Sequence, residues 1–192
     1  MFSIEVKEMK RCQWLDESKA DYVEYHDKEW GVPVYEDKVF FEFLVLESAQ
    51  AGLSWYTILK RREGYRSAFA NFDPKIVSTF DSEKVDALLQ DSGIIRHRAK
   101  IESAINNAQC FLEVQQEFGS FSDYVWGFTD NKIIDVRTKD DFPPATTPLS
   151  DKLSKDLKKR GFKFVGSTTM YAFLQATGIV NDHDVDCICR QR

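Results

Sequence analysis

From about His97 to Glu117 the chain keeps one unbroken pattern: Ile101, Ala104, Ile105, Ala108, Phe111 and Leu112 recur at helical spacing and form a single apolar stripe. So long a helix needs a broad apolar partner surface, and the rest of the sequence is patterned to supply one. Residues 37–51 place Phe40, Phe43, Leu44 and Ala51 on one helical face and stop at Gly52. Ser54 is placed to cap a helix running to about Phe69, and Asp73-Pro74 reads as an N-cap followed by proline at the first helical position. A helix over 82–90 puts Val85, Leu88 and Leu89 on one side. Ser122 is expected to cap a short helix through Trp126. Ser150 and Asp151 should open a helix that ends at Gly161, and Ser167 the last full helix, ending near Gly178. Only 130–148 departs from this pattern. Its Ile133-Ile134-Asp135-Val136 leans towards β structure and is followed by Pro143-Pro144 and Pro148, which predicts a long excursion with a small turn-and-strand element. The expectation is an all-α fold in one domain over 1–192.

Composition sets limits on the function. The chain has 192 residues, 43% of them hydrophobic and 30% charged, enough for a sizeable core. No apolar run approaches the roughly 18 residues a membrane span needs. The opening residues lack the apolar segment of a signal peptide. A cytoplasmic monomer with no membrane partner is therefore expected. In that compartment Cys12, Cys110, Cys187 and Cys189 read as buried or metal-binding rather than disulfide-bonded.

The net charge of −5 does not advertise a nucleic-acid binder, yet the cations are clustered. Lys152, Lys155, Lys158, Lys159, Arg160 and Lys163 face only Asp151 and Asp156 in their stretch. Arg96-His97-Arg98-Ala99-Lys100 and Lys60-Arg61-Arg62 form two more clusters. Clusters of this kind suit phosphate contacts, although a solvated helix face explains any one of them alone.

Glu47 needs an explanation. It follows Phe40, Phe43 and Leu44 at helical intervals and so falls on the apolar stripe, where an ionised carboxylate is costly unless paired. It either sits at the edge of the stripe and reaches water, or it serves a site. Gln50 and Ala51-Gly52-Leu53-Ser54-Trp55 follow closely: an amide, a glycine that permits close backbone approach, a leucine at a helix end and an indole. Together they could form a pocket for a flat polar ring, stacked on the indole and read by directional hydrogen bonds.

Gly93, between two expected helices, lies in Leu88-Leu89-Gln90-Asp91-Ser92-Gly93-Ile94-Ile95-Arg96-His97-Arg98. Backbone N–H groups at such a turn, with the N-terminus of the second helix, can hold a phosphate oxygen while Arg96, Arg98 and Lys100 add charge. An ordinary packing corner with glycine as a C-cap accounts for the same residues. His183 and Cys187 are one helical turn apart, and Cys12 and His26 lie near the other terminus. Two cysteines and two histidines make a closed tetrahedral zinc set. The spacing alone also allows that the two pairs never meet, and that Cys189 takes the place of Cys187. Cys110 reads as core.

Six stretches in order resemble the DNA-3-methyladenine glycosylase I family. They are Arg11-Cys12-Gln13-Trp14; Tyr22-Val23-Glu24-Tyr25-His26-Asp27-Lys28-Glu29-Trp30-Gly31-Val32-Pro33; Leu46-Glu47 with Gln50-Ala51-Gly52-Leu53-Ser54-Trp55; Gly93-Ile94-Ile95-Arg96-His97-Arg98 with Lys100-Ile101; Lys158-Lys159-Arg160-Gly161-Phe162-Lys163-Phe164-Val165-Gly166; and Val180-Asn181-Asp182-His183 with Cys187. The resemblance implies an all-α helix-hairpin-helix DNA glycosylase fold, with the helix-hairpin-helix at about 82–117. It implies one structural Zn²⁺ per chain, held by Cys12, His26, His183 and Cys187, that joins the terminal segments 11–30 and 179–189. It implies a base pocket of Glu47, Tyr22, Tyr25 and Trp55 with Trp14 and Gln50 nearby, Glu47 carrying the catalytic role. It also implies DNA contacts through Gly52 and Leu53, with Leu53 as a wedge, and through Gly93, Ile94, Arg96 and Lys100 at the hairpin.

The activity so implied is hydrolytic excision of 3-methyladenine from double-stranded alkylated DNA. Free 3-methyladenine and an abasic site are the products, and without a nucleophilic lysine no strand is cut. Glu113 and Glu117 lie where superfamily relatives place an assisting acid, but both read as exposed helix residues. A non-catalytic, zinc-containing module that binds damaged DNA shares the hairpin and the metal set. A zinc hydrolase acting on a small molecule needs an open metal position, which four protein ligands deny it.

Overall fold

The computed structural model describes residues 10–137 and 143–190. Among them the chain forms α1 (Ala20–Lys28), α2 (Asp37–Gln50), α3 (Trp55–Leu59), α4 (Arg62–Ala68), α5 (Pro74–Val77), α6 (Ser82–Leu88), α7 (Arg98–Phe118), α8 (Phe121–Trp126), α9 (Pro148–Lys159) and α10 (Ser167–Ala176), with strands β1 (Ile134–Asp135) and β2 (Val180–Asn181). The fold is thus mostly helical. No helix among the described residues is long and apolar enough to cross a membrane.

Helix α2 runs through the centre. Every residue from Phe40 to Ala49 is buried, so this helix is covered all round rather than along a stripe. Helix α10 packs across α2 and α9, and α7 packs on α5, α8 and α2. The stripe on α7 buries Ile101, Ala104, Ile105, Ala108 and Phe111, while Leu112 stays partly open. Phe111 stacks on Phe121 at 4.1 Å between centroids and meets Phe41 edge-on at 5.2 Å. Fully burying one such side chain stabilises by about 1.5–3 kcal/mol.

Several helix starts differ from the sequence expectation. Ser120, not Ser122, caps α8, accepting from the Asp123 N–H at 2.9 Å. Thr147, not Ser150, caps α9; Ser150 instead completes a reciprocal capping box, with Pro148 in the first turn. The helix expected from Ser54 to Phe69 breaks after Leu59. The break lets Arg62, at the start of α4, turn inward to Glu42 and Glu29, each at 2.6 Å. Helix α1 carries no apolar stripe, because Tyr25 and His26 are its only buried residues. Part of the 130–148 excursion, 138–142, lies outside the described residues. The rest supplies β1, which pairs in parallel with β2 through Ile134–Val180 and Asp135–Asn181. The two ends of the described residues meet as well: Lys10 bridges Cys187, and the Ile188 N–H donates to the Lys10 carbonyl at 2.9 Å.

Candidate active site and metal centre

A cavity of about 290 Å³ opens beside α2, lined by Trp14, Tyr22, Tyr25, Trp30, Glu47, Gln50, Trp55, Arg137, Pro143, Ala172, Gln175 and Asp182. That is close to the lower end of small-ligand pockets, about 300–1,000 Å³. All six residues expected in a base pocket meet here. Tyr25 and Trp55 pack against each other, tilted by 41° with centroids 5.4 Å apart, and Trp14 packs on Tyr22 at 5.3 Å and on Trp30 at 4.9 Å. Trp55 owes its place to Ser54, whose Oγ accepts from the Thr57 N–H at 3.2 Å and starts α3 with the indole in its first turn.

Polar atoms in this slot are left over. Trp14 Nε1, Trp55 Nε1 and Glu47 Oε2 are the buried side-chain polar atoms without a hydrogen-bond partner among the described residues, and all three residues line the one cavity. Native interiors rarely leave such atoms unpaired, so two indole donors and one carboxylate oxygen converging here mark a ligand site. Desolvation pushes the Glu47 pKa from its ordinary 4.5 up to about 8, so the slot itself favours the protonated acid at neutral pH. Burial, and then the neighbouring Glu47, push Tyr22 up to about 12, and burial raises Tyr25 well above 10.0.

The opposite wall was not anticipated. Asp182 accepts from Arg137 Nε at 3.0 Å, from the Tyr171 hydroxyl at 2.9 Å and from Gln175 Nε2 at 2.6 Å. Arg137 also pairs with Asp184 at 3.2 Å. The other oxygen of Asp184 takes the Gln13 N–H at 2.7 Å, just before Trp14. One signal for this wall was present in the sequence: Gln175 interrupts the buried run Phe173, Leu174, Ala176 on α10, much as Glu47 interrupts α2.

Cys12, His26, His183 and Cys187 are all buried, and their ligand atoms lie within 4.8 Å of one another. His183 Nδ1 is 3.4 Å from Cys12 Sγ and 3.5 Å from Cys187 Sγ, and His26 Nε2 is 3.6 Å from Cys187 Sγ. Around a tetrahedral ion with metal–sulfur and metal–nitrogen bonds near 2.3 and 2.0–2.1 Å, sulfur–nitrogen edges come to about 3.6 Å. The four atoms therefore fit one metal ion. The groups behind these four side chains fit as well. His26 Nδ1 contacts Asp27 at 2.8 Å, and Arg11 in turn grips Asp27. The Asp184 and Cys189 N–H groups each point at a ligand sulfur from 3.4 Å. Cys189 Sγ lies 3.8 Å from His26 Nδ1, the ring nitrogen turned away from Cys187, and so falls outside the tetrahedron. Gly31 packs directly on His183: a Cβ there would sit 2.6 Å from Nε2, and its φ of +77° suits glycine. The cluster abuts the slot, with Trp30 4.6 Å from the His183 ring and Trp14 5.4 Å from the His26 ring.

The outer rim holds the remaining candidates. Leu53 is exposed at the α2–α3 turn beside Gly52, and Arg96 is exposed in the hairpin. Gly93 sits against Gly64 of α4, where a Cβ on Gly64 would lie 2.2 Å from the Gly93 carbonyl oxygen. Its N–H donates to Asp91 at 2.7 Å and the Ile95 N–H to Tyr65 at 3.2 Å, so two donors of the turn are already engaged. Ile94 is buried in the core. Lys100 is likewise committed, its Nζ donating to the Ala49 and Ala51 carbonyls at 2.7 and 2.6 Å, which ties α7 to the end of α2. Arg62, in the cluster at 60–62, is buried against Glu42. Glu117 pairs with Arg160 on the surface, and Glu113 is exposed.

The sequence profile of the methyladenine glycosylase family matches residues 14–191. DNA-3-methyladenine glycosylase 1 of Escherichia coli is 49% identical over 183 residues, covering 94% of this chain and 97% of its own length. The crystal structure of a 3-methyladenine DNA glycosylase I superposes with a TM-score of 0.90 at 48% identity, covering 94% of this chain and 100% of its own. A variant of a 3-methyladenine DNA glycosylase I solved in complex with 3-methyladenine gives 0.90 at 37% identity, covering 96% and 99%.

Proposed function

We propose that this chain, which belongs to the methyladenine glycosylase family, is a DNA-repair N-glycosylase that takes 3-methyladenine out of alkylated DNA, hydrolyses its N-glycosidic bond and leaves an abasic site. The convergence of Trp14 Nε1, Trp55 Nε1 and Glu47 Oε2 on one aromatic slot carries the reading. Methylation at N3 leaves the purine cationic and therefore a good leaving group. Water adds to the sugar carbon and gives its proton to solvent, while the glycosidic electron pair leaves with the base and neutralises it. Extruding the base costs a few kcal/mol. Stacking, worth about 1–3 kcal/mol per base, offsets that cost on Tyr25 and Trp55.

Discrimination comes from charge. A cation against aromatic rings gains attraction that neutral adenine lacks. Its charge also favours the ionised form of Glu47, which gives its proton to solvent and whose carboxylate then accepts from the exocyclic amine. A neutral base leaves that acid unanswered. No described residue lining the slot is a lysine, which supports base release without strand cleavage. Gly52, Leu53, Gly93 and Arg96 make the duplex contacts, with Leu53 as the wedge, while Ile94 and Lys100 brace the hairpin from within. A cytoplasmic location suits this substrate.

The metal is zinc, which two cysteines and two histidines suit, and four protein ligands give it a structural role. When bound it supplies folding energy by tying the terminal segments together, and the adjoining Trp14 and Trp30 hold their places against the ligand rings. Metal analysis should find about one zinc per chain, and a chelator should lower stability. A stable, zinc-free protein indifferent to chelators would refute the clamp.

The test of function is to mix purified protein with methylated duplex DNA and identify what comes off. Free 3-methyladenine with intact strands is expected. Tight binding to methylated DNA without any released base would favour the rival, a non-catalytic damage-binding module.

A further inference from the structure

Phe164 combines two features that no other exposed large apolar residue of the described chain shares: it is 37% exposed, and its φ of +55° puts a bulky residue in the left-handed region. Its surroundings hold it there. The Lys163 N–H donates to Asn107 Oδ1 at 2.8 Å, and the Lys163 carbonyl accepts from Asn107 Nδ2 at 2.9 Å. The Phe164 carbonyl accepts from Ser48 Oγ at 3.3 Å, the Val165 carbonyl from Ser154 Oγ at 2.7 Å and the Gly161 carbonyl from Asn106 Nδ2 at 2.9 Å. Side chains from α2, α7 and α9 thus fix one short loop in a conformation its own backbone disfavours. Backbone strain persists only where the surroundings over-determine it.

The location gives the loop a purpose. Ser48 lies in the last turn of α2, just before Gly52 and Leu53, and Lys100 ties that same end of α2 to the first turn of α7. Phe164 and Lys163 form one wall of a shallow cavity of about 310 Å³ whose other wall is Ala99, Glu102, Ser103 and Asn106 of α7, directly after the hairpin. The α2–α3 turn, the hairpin helix and the 161–165 loop therefore share one rim, with Leu53 and Phe164 as exposed apolar side chains and Arg96 and Lys163 as exposed cations. Glu102, the acid on this wall, is drawn towards Arg98 at 3.5 Å.

We propose that Phe164 is a second apolar probe of the duplex, pressing on the base stack beside the extruded nucleotide while Leu53 occupies the gap. The proposal rests on the glycosylase reading above. Apolar wedges against a base step, flanked by cations on the phosphates, are an established way to hold a duplex bent or opened. A residue on a backbone already fixed suits that task, because little backbone freedom is left to lose when DNA arrives.

The test compares Phe164→Gly and Phe164→Ala with the unaltered protein. Only glycine takes the left-handed backbone without cost, so F164G should unfold at higher denaturant than F164A, which separates folding from function. Both variants should bind a duplex carrying a stable abasic-site analogue about tenfold more weakly and lose about tenfold in kcat/KM for release of 3-methyladenine from methylated duplex, the scale of one lost base contact. Quenching of tryptophan fluorescence by free 3-methyladenine should stay unchanged, since Phe164 does not line the slot. Duplex binding and excision at the unaltered level in F164G would overturn the proposal, as would equal losses of duplex and free-base binding. If the unaltered chain itself released no base, the functional reading would fall, and the proposal with it.

Discussion

Glu42 and Glu47 are buried on the same helix to nearly the same degree, 7% and 4% exposed, in opposite surroundings. Glu42 is gripped by Arg62 at 2.6 Å and Arg66 at 3.0 Å. Among the described residues Glu47 pairs with no cation, and its Oε2 has no hydrogen-bond partner. The first arrangement holds α4 against α2 and is complete. The second is incomplete, and what would complete it is a donor and a positive charge brought from outside. A buried acid that finds its partner inside the protein belongs to the architecture; one left unpaired beside a cavity belongs to a ligand.

The sharpest way to break this contrast is at Glu42. Glu42→Ala leaves Arg62 buried and half-paired, so unfolding measurements should show a loss of about 3–5 kcal/mol, while the folded fraction still excises base. A loss well under 1 kcal/mol would mean that the pair is not structural. The pH profile comes next. If Glu47 must shed its proton as the cation enters, kcat/KM should rise with pH until about 8, the pKa of the free enzyme, and then level off. A profile flat between pH 6 and about 9 would remove that step.

Arg137 sharpens the picture from the far wall. Arg137→Lys keeps the charge and loses the fork that spans Asp182 and Asp184, so affinity for free 3-methyladenine, read by tryptophan quenching, should drop about tenfold with bound metal retained. Loss of metal in step with affinity would show instead that Arg137 serves only the cluster. The smallest effect belongs to the rim. Arg96→Ala should weaken duplex binding a few-fold and reduce the salt slope by about one, whatever the sequence of the duplex. An unchanged slope would take Arg96 off the phosphates.

Much of this was legible in the chain before any coordinates. Periodicity placed α2, α6 and α7, because a stripe of apolar residues leaves a regular trace, while a serine cap and a glycine stop placed α10. Periodicity was silent on α1, whose inward face is a tyrosine and a histidine of the Cys/His cluster rather than a stripe. Glu47, Gln50 and Trp55 stood out by being polar or aromatic at one end of one helix. Cys12 and His26 could be paired with His183 and Cys187 only through a family resemblance, since spacing within the chain says nothing about which ends meet. The wall of Arg137, Asp182 and Gln175 was missed for the same reason: it assembles from the segments after β1 and β2 and from α10 only when the excursion folds back. Capping residues shifted by two or three positions at α8 and α9, where two serines or a serine and a threonine competed for one role.

Glu47→Gln, followed at once by base release and by unfolding, tests the central claim most directly. With a folded-state pKa near 8 against an ordinary 4.5, Glu47 holds a proton that the unfolded chain has already lost. Stability therefore falls as pH rises from about 4.5 to 8 and stays low above that. The glutamine variant should release 3-methyladenine at least about a hundredfold more slowly and yet be more stable at pH 8, by up to a few kcal/mol, with the gain vanishing below about pH 4.5. Undiminished release, or a variant less stable than the parent at pH 8, would contradict the account.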